Sequence, residues 1–219
     1  MTTQQIRRKL LIHARLYGIV DFGYVEEANV GKVTQNLLDG GADVIQLRAK
    51  GIAHEIVFAA AKKIIPLCKA AGVPFILNDY PEMAIELGAD GVHIGQDDGA
   101  IAEIRKIVGE EMIIGRSTHS LSQAKQALAD CADYIGFGPL FPTPTKQGRP
   151  AIGLDEVSKM ESEVGKHIPA FCIGGIKPEN LDLVLAAGAK KCVVVSHLLT
   201  ASDVCKETAT LVTRLRLNA

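Results

Sequence analysis

The sequence lacks tryptophan altogether, has only 5% aromatic residues, and carries a net charge of just −1 at pH 7. Acidic and basic side chains together make up 22% of the chain and are interspersed along it. Nucleic-acid-binding proteins are marked by an excess or a stripe of basic residues. The composition excludes that kind of surface, and we expect no nucleic acid among the partners.

Cysteine is present but forms no metal-binding or redox pattern. The five cysteines are widely spaced, and no two lie at the spacing of a zinc knuckle or a redox motif. They are Cys68, Cys131, Cys172, Cys192 and Cys205. We interpret them as small apolar core residues in a reducing compartment, which predicts a cytoplasmic location.

Long hydrophobic runs are also missing. The basic residues 7–9 precede an apolar run that His13 and Arg15 interrupt after three residues. This is far shorter than a signal-peptide core or a membrane span. We therefore predict that residues 1–14 form a leading helix, and we expect no membrane partner.

What the sequence does contain is a repeated alternation of strands and helices. Eight short apolar segments without strict alternation are typical of parallel strands buried on both faces. The predicted strands are 16–20, 44–47, 75–77, 91–94, 112–115, 134–138, 170–173 and 192–195. Alanine-rich stretches with helical spacing lie between them, among them 52–71, 101–108, 121–129, 154–164 and 178–187.

A short signature recurs where a helix leads into a strand. It reads Gly-Ala-Asp at 41–43 and 88–90, Cys-Ala-Asp at 131–133 and Gly-Ala-Lys at 188–190. Glycine suits the left-handed residue that ends a helix, and alanine lets the turn pack close to the sheet. No linker divides the chain, so we predict one α/β domain over residues 1–219, a single (β/α)8 TIM barrel. An open doubly wound sheet is the competing architecture, and the unit count favours closure.

Unusual polar residues follow the predicted strands. Gln46, Arg48 and Lys50 alternate after the second strand and so share one side of an extended segment. An amide and two cations suit an oxyanion such as diphosphate, although a solvated strand end explains the pattern equally well. Asp79 and Asp98 follow the third and fourth strands, and such carboxylates can share a Mg2+ ion. The alternative is that they cap the next helices, as Asp98 would before 101–108.

Four further segments contribute to the predicted site. Ser117 stands at the end of the fifth strand without a nucleophile-elbow sequence, so we expect a hydrogen-bond donor and no serine nucleophile, with Ser120 as a helix cap. The proline-stiffened loop 138–148 can hold a fixed shape or close on substrate, with Lys146 as its main charge. Gly174-Gly175 and Val195-Ser196 end the last two strands, where barrels commonly hold phosphate. His93, inside a strand, is interpreted as a hydrogen-bonded core residue.

Taken in order, these motifs resemble the thiamine-phosphate synthase family along nearly the whole chain. The resemblance rests on 46–50, 78–79, 88–98, Ser117, 143–146, 174–175 and 195–196. It implies that hydroxymethylpyrimidine diphosphate is joined to thiazole phosphate with release of diphosphate, by an Mg2+-assisted dissociative substitution that needs no protein nucleophile. The expected partners are these small-molecule substrates, and a homo-oligomer is compatible with the sequence.

The resemblance also implies a role for each matching residue. The pyrimidine diphosphate would be held by Gln46, Arg48, Lys50, Asn78, Ser117 and Lys146. The thiazole phosphate would be held by Thr143, Thr145, Gly174, Val195 and Ser196, and Leu47, Ala49 and Pro144 are counted as substrate-binding with their segments. Arg48, Lys50, Ser117 and Lys146 are counted as catalytic, and Asp79 and Asp98 would bind Mg2+.

Two alternatives stay open. Thiazole tautomerase, an isomerase of related fold, uses a histidine in a segment like 116–120, which gives His119 some weight. A tautomerase needs neither a metal pair nor a diphosphate cradle, so the acids and cations favour the synthase. A barrel that only senses or stores a phosphorylated thiamine precursor would need the same contacts without turnover.

Overall fold

The computed structural model describes residues 3–143 and 150–218, which form a closed barrel of eight parallel strands. Each strand pairs with the next along the chain, and β8 pairs with β1. The strands are β1 Leu16–Asp21, β2 Val44–Arg48, β3 Phe75–Asn78, β4 Gly91–Ile94, β5 Ile113–Thr118, β6 Tyr134–Phe137, β7 Ala170–Ile173 and β8 Cys192–Val194. The predicted (β/α)8 barrel is confirmed, and the open sheet is wrong.

Helices surround the barrel. They are α1 Thr3–His13, α2 Val30–Asp39, α3 His54–Ala71, α4 Pro81–Leu87, α5 Ile101–Val108, α6 Leu121–Ala129, α7 Val157–Met160, α8 Leu181–Ala186, α9 Ser196–Leu199 and α10 Val204–Leu217. A 3-10 turn covers Glu27–Asn29, and a π turn covers Glu161–Gly165. Within residues 3–143 and 150–218, no helix has the length and apolar character needed to cross a membrane.

Among the element boundaries that differ from the sequence prediction, one affects the site. Strand β5 continues to Thr118 and does not end at 115, so Ser117 belongs to the barrel wall. The predicted helix 154–164 is only the short α7 followed by the π turn. The predicted helix cap at Ser120 is confirmed, because its side chain accepts a hydrogen bond from the backbone N–H of Gln123.

The repeated turns that lead into β2, β4 and β6 also hold the first residues of the strand before each of them, which are β1, β3 and β5. In three of the four turns an aspartate carboxylate accepts a backbone N–H from that strand, which would otherwise be left without a partner inside the fold. The pairs are Asp43 with Leu16 at 3.0 Å, Asp90 with Phe75 at 2.9 Å and Asp133 with Ile114 at 2.8 Å. The acidic residue of the motif is therefore structural.

The same turns require a left-handed residue, as the sequence predicts. Gly41, Gly88 and Gly188 have φ values of 88°, 66° and 102°. Cys131 occupies the equivalent position in the third turn with φ of 65°, although it has a side chain. A residue with a Cβ is strained in this region, so the third turn is held at a cost in stability.

Helix α1 closes the end of the barrel at which the strands begin. Leu11 is fully buried in the inner core, and Arg7 forms an ion pair with Asp90 at 2.7 Å. At the same end, the Nζ of Lys191 donates hydrogen bonds to the carbonyl oxygens of Ala14 at 2.7 Å and Ile12 at 2.5 Å. Substrates must therefore enter at the opposite end, where the strands finish.

Candidate active site

A cavity of about 840 Å³, counting its open mouth, lies at the carboxyl end of the strands. All eight strands contribute to its wall. The strand residues that line it are Tyr17, Ile19, Gln46, Arg48, Asn78, His93, Ser117, Tyr134, Gly136, Phe171, Ile173 and Val193. This is the position at which enzymes of this fold carry their chemistry.

The floor of the cavity is a continuous chain of hydrogen-bonding side chains. The amide Nε2 of Gln46 donates to the hydroxyl of Tyr17 at 2.9 Å, and that hydroxyl lies 2.9 Å from the hydroxyl of Tyr134. The Tyr134 hydroxyl lies 3.0 Å from Nδ1 of His93, whose Nε2 lies 2.9 Å from Oγ of Ser117. Five polar side chains from five strands are thus connected.

The two tyrosine side chains in this floor are uncharged. Burial raises the pKa of Tyr17 and of Tyr134 well above the ordinary value, so both phenols keep their protons. The ring of Phe171 packs edge-on against both, with centroid distances of 5.2 Å to Tyr17 and 5.8 Å to Tyr134. The floor can therefore exchange hydrogen bonds with a ligand ring but contributes no anion.

Arg48 reaches the cavity from the end of β2, where a carboxylate orients it. Its Nη1 lies 2.6 Å from Oδ2 of Asp21, which is only 2% exposed. The other oxygen of Asp21 accepts the backbone N–H of Gly23 at 2.8 Å. One side of the guanidinium is therefore anchored, and the side chain is held in the cavity wall for a bound anion.

Lys50, Asp79 and Asp98 lie on the loops that follow β2, β3 and β4, beside the residues of the cavity wall. The Nζ of Lys50 is 3.1 Å from Oδ2 of Asp79, while Oδ1 of Asp79 is buried without a hydrogen-bond partner. Asp79 has φ of 68°, an uncommon conformation for a residue with a side chain. Strained backbone of this kind clusters at functional sites.

The two acids affect each other's protonation. Burial raises the pKa of Asp79 and outweighs the attraction of Lys50, and the neighbouring Asp98 charge raises it further. Burial acts to raise the pKa of Asp98 as well, but the backbone N–H of Gly95, at 2.6 Å, helps to lower it below its ordinary value. Two carboxylates so close together are stabilised by a cation between them.

The loop that carries Asp98 is fastened to β5. Arg116 donates to the carbonyl oxygens of Gly99 at 2.7 Å and Gln96 at 3.2 Å, and Nε2 of Gln96 donates to the carbonyl of Ser117. The alternative in which Asp98 caps α5 is wrong, because residue 100 is the N-cap and Asp98 accepts from Gly95 instead. The acid is therefore presented by a loop held in shape.

These residues fit a Mg2+ ion of the kind that is completed by water and substrate phosphate. Among residues 3–143 and 150–218, no three or more histidine, cysteine, aspartate and glutamate side chains form a complete metal site. Asp79 and Asp98 offer two carboxylates, and the unpartnered Oδ1 of Asp79 is an acceptor that lacks a donor. Such a partial donor set leaves the other positions of an ion to water and ligand oxygens.

The loops after the last three strands form the other side of the mouth. Thr143, Gly174, Val195 and Ser196 all line the cavity, whereas the predicted Pro144, Thr145 and Lys146 lie outside the described residues. A Cβ on Gly174 would lie 2.3 Å from Cβ of Pro139. The glycine therefore lets segment 139–142 pack against the end of β7, in addition to opening the backbone to the cavity.

Two residues predicted to bind substrate do not reach the cavity with their side chains. Leu47 is fully buried and Ala49 is 2% exposed, both in the outer core between barrel and helices. Alternation along β2 places them on the face opposite Gln46 and Arg48. Conversely, the predicted site omitted Tyr17 and Tyr134. The hydrogen bonds predicted for His93 are confirmed, but the structure also places it in the cavity wall. Inward polar positions within buried strands are the signal that would have identified all three.

A hydrogen-bonding floor, Arg48 in the wall and a pair of acids on the neighbouring loops define the site of a barrel enzyme that acts on small molecules. Residues 16–198 match the family model described as thiamine monophosphate synthase. The chain therefore belongs to the thiamine monophosphate synthase family, and it is an enzyme of the transferase class.

Individual relatives agree with this assignment. The chain is 44% identical over 191 residues to a thiamine-phosphate synthase of Thermus thermophilus, covering 86% of this chain and 91% of the relative. It is 38% identical over 208 residues to that of Gloeobacter violaceus, covering 95% of this chain but only 59% of that longer relative. Among solved structures, a thiamine phosphate pyrophosphorylase from Pyrococcus furiosus superposes with a TM-score of 0.85 at 31% identity, covering 96% of this chain and 98% of that one.

Proposed function

We propose that this enzyme couples 4-amino-5-hydroxymethyl-2-methylpyrimidine diphosphate to 4-methyl-5-(2-phosphoethyl)thiazole, releasing diphosphate and forming thiamine phosphate. The observation that carries the proposal is the layered site. A hydrogen-bonding floor whose tyrosines stay protonated lies beneath Arg48, and Lys50 with the acid pair Asp79 and Asp98 lies on the loops that follow β2, β3 and β4, beside the cavity lining. Such layering suits a molecule with a polar ring at one end and a diphosphate at the other.

The floor supports recognition of an aminopyrimidine. Its ring nitrogens and amino group need both donors and acceptors, which Gln46, Asn78 and Ser117 supply from β2, β3 and β5 of the cavity wall. All three are at least 94% buried, so a bound ring that replaces their water must pair with them. A ligand without these polar edges would leave buried groups unsatisfied.

The wall and rim support departure of the diphosphate. As the bond between the methylene carbon and the diphosphate oxygen breaks, its electron pair leaves with the diphosphate and the aminopyrimidine ring takes up positive charge. Arg48 and Lys50 attract the departing anion, and the anchored Arg48 does so without reorganising. The thiazole nitrogen then forms the new bond to the methylene carbon, so no protein nucleophile is needed.

Asp79 and Asp98 would hold the Mg2+ ion, which supplies further positive charge for the diphosphate when it is bound. Asp79 would contact both this ion and Lys50, because the Nζ of Lys50 lies 3.1 Å from Oδ2 of Asp79. We also propose that the protein works in the cytoplasm, which is supported by five free cysteines.

A thiazole tautomerase is the second candidate, supported by the placement of His119 in the cavity wall. Its Nδ1 lies in hydrogen-bond contact with the carbonyl oxygen of Gly138. A carbonyl only accepts, so Nδ1 carries a proton and a neutral His119 has its lone pair on Nε2. This is the form that a base acting on a thiazole would need.

One experiment separates the candidates. Purified protein is given both substrates, with Mg2+ or with a chelator, and thiamine phosphate and diphosphate are quantified. The synthase predicts equal amounts of both products, dependent on Mg2+. Isomerisation of the thiazole without coupling, unaffected by the chelator, would favour the tautomerase, and tight calorimetric binding without diphosphate release would favour a storage or sensing protein.

A further inference from the structure

Glycines inside strands need an explanation, because glycine weakens a strand relative to alanine. Strands β1, β4, β5 and β6 contain Gly18, Gly91, Gly115 and Gly136 respectively. A Cβ on Gly91 would lie 2.7 Å from Cβ of Ile113, and one on Gly115 would lie 2.1 Å from the ring of Tyr134. Packing inside the barrel therefore requires glycine at these two positions.

Gly136 has no such explanation within the protein. It faces the cavity two residues after Tyr134, and its backbone is outside the positive-φ region. The nearest atom to an added Cβ would be Cε1 of His93 at 3.7 Å, an ordinary van der Waals distance. Alanine would therefore fit among the surrounding protein atoms, and the space in front of Gly136 is left open by the absence of a side chain.

We infer that Gly136 is a specificity-determining residue whose missing side chain makes room for the pyrimidine ring. The inference rests on the proposed function. Gly136 is paired in register with Ser117 on one side and Phe171 on the other, and His93 lies in front of it. Ser117 and His93 belong to the hydrogen-bonding floor and Phe171 packs against its tyrosines. Gly174, after β7, and Ser196, at the start of α9, lie instead on the side assigned to the thiazole phosphate.

The test compares Gly136→Ala with Gly18→Ala. The control changes a strand glycine that faces outward, where a Cβ would meet Ile45 and Leu37 at 3.4 Å and would not touch the cavity. For each protein, KM is measured for both substrates, and calorimetry measures binding of the pyrimidine diphosphate and of inorganic diphosphate in the presence of Mg2+. Inorganic diphosphate has no ring, so it reports on the anion site alone.

Gly136→Ala is expected to raise KM and Kd for the pyrimidine diphosphate by at least about tenfold, since one added methyl group in a close-fitting pocket has an effect of this size. The affinity for inorganic diphosphate and KM for the thiazole phosphate should stay at wild-type values. Thermal stability should be equal to or above that of wild type, because alanine is the better strand residue. Gly18→Ala should match wild type in every binding measurement.

Several results would overturn the inference. They are an unchanged KM for the pyrimidine diphosphate, an equal loss of affinity for inorganic diphosphate, and a loss confined to the thiazole phosphate. A fall in thermal stability large enough to explain the kinetics would also do so. Wild-type protein that fails to couple the substrates would refute the proposed function itself, whereas active wild-type protein with an unaffected Gly136→Ala variant refutes only the role of Gly136.

Discussion

Replacing Cys131 by glycine should stabilise the enzyme without touching its active site. Cys131 holds φ of 65° in the turn that leads into β6, where three equivalent turns have glycine. The residue is exposed, and its thiol makes only a weak contact with the carbonyl of Ala129 at 3.9 Å. Its side chain therefore contributes little that the substitution would remove.

The size of the effect follows from two opposing terms. A residue with a Cβ in the left-handed region costs about 1–2 kcal/mol relative to a relaxed conformation. Glycine loses more freedom on folding and offsets about 0.5–1 kcal/mol of that gain. The net expectation for Cys131→Gly is a rise of about 0.5–1 kcal/mol in the free energy of unfolding, or about 1–4 °C in Tm for a domain of this size.

Thermal and urea unfolding of three variants tests this reasoning. Cys131→Ala removes the thiol but keeps the Cβ, so its stability should stay near that of wild type. Gly88→Ala is the reverse change, because Gly88 has φ of 66° and an added Cβ would meet nothing within 4 Å; it should lower stability by about 0.5–1 kcal/mol. If Cys131→Gly were neutral while Gly88→Ala was destabilising, the strain assigned to Cys131 would not exist.

Three further predictions concern the site and the closed end of the barrel. Asp79→Asn, which tolerates the left-handed backbone, should lower Mg2+-dependent turnover at least about a hundredfold, because even residues supporting a metal ligand contribute 10–100-fold. Arg48→Lys should raise KM for the pyrimidine diphosphate about tenfold. A lysine ammonium cannot keep the ion pair with Asp21 and also bind the diphosphate through two parallel N–H groups, as a planar guanidinium can. Burial, with repulsion from Arg15, lowers the pKa of Lys191 to about 8. Between about pH 8 and about pH 10 the unfolded chain therefore binds more protons at this lysine than the folded protein does. The free energy of unfolding of the wild type should rise with pH over this range, relative to that of Lys191→Met.

Each of these has a direct measurement. Steady-state rates at graded Mg2+ concentrations test Asp79→Asn, and turnover close to that of wild type would remove Asp79 from the metal site. Substrate titration tests Arg48→Lys, and an unchanged KM would show that the guanidinium fork is not used. Urea unfolding between pH 7 and 10 tests Lys191; a difference from Lys191→Met that stays constant with pH would show that its pKa is not lowered by folding.

The sequence predicted the barrel because each βα unit repeats the same local signals. Predicting that Asp79, Asp98 and Arg48 lie at one end required only that they follow parallel strands, whose carboxyl ends share an edge. Neither the pairing of Lys50 with Asp79 nor the anchoring of Arg48 by Asp21 was predicted, since both join different loops or strands. Such contacts depend on register around the barrel, which local patterns do not encode.

The floor of the cavity was missed for a different reason. Strands buried on both faces are mostly apolar, and a single polar side chain within such a strand is more often a hydrogen-bonded core residue than part of a site. Tyr17 and Tyr134 look like core aromatics, and His93 like an isolated buried histidine. Only closure of the barrel brings their polar ends together. The hydroxyls of Tyr17 and Tyr134 then lie 2.9 Å apart, and the Tyr134 hydroxyl lies 3.0 Å from Nδ1 of His93.

Helix α1, which closes one end of the barrel with Leu11, also has a practical consequence for handling the protein. A purification tag or fused partner attached ahead of Thr3 would emerge on the side away from the substrates' entrance. Immobilising the enzyme through such an extension should leave its mouth facing solution. Deleting the residues up to and including Leu11 would instead open this end of the barrel and expose the apolar inner core beneath the floor.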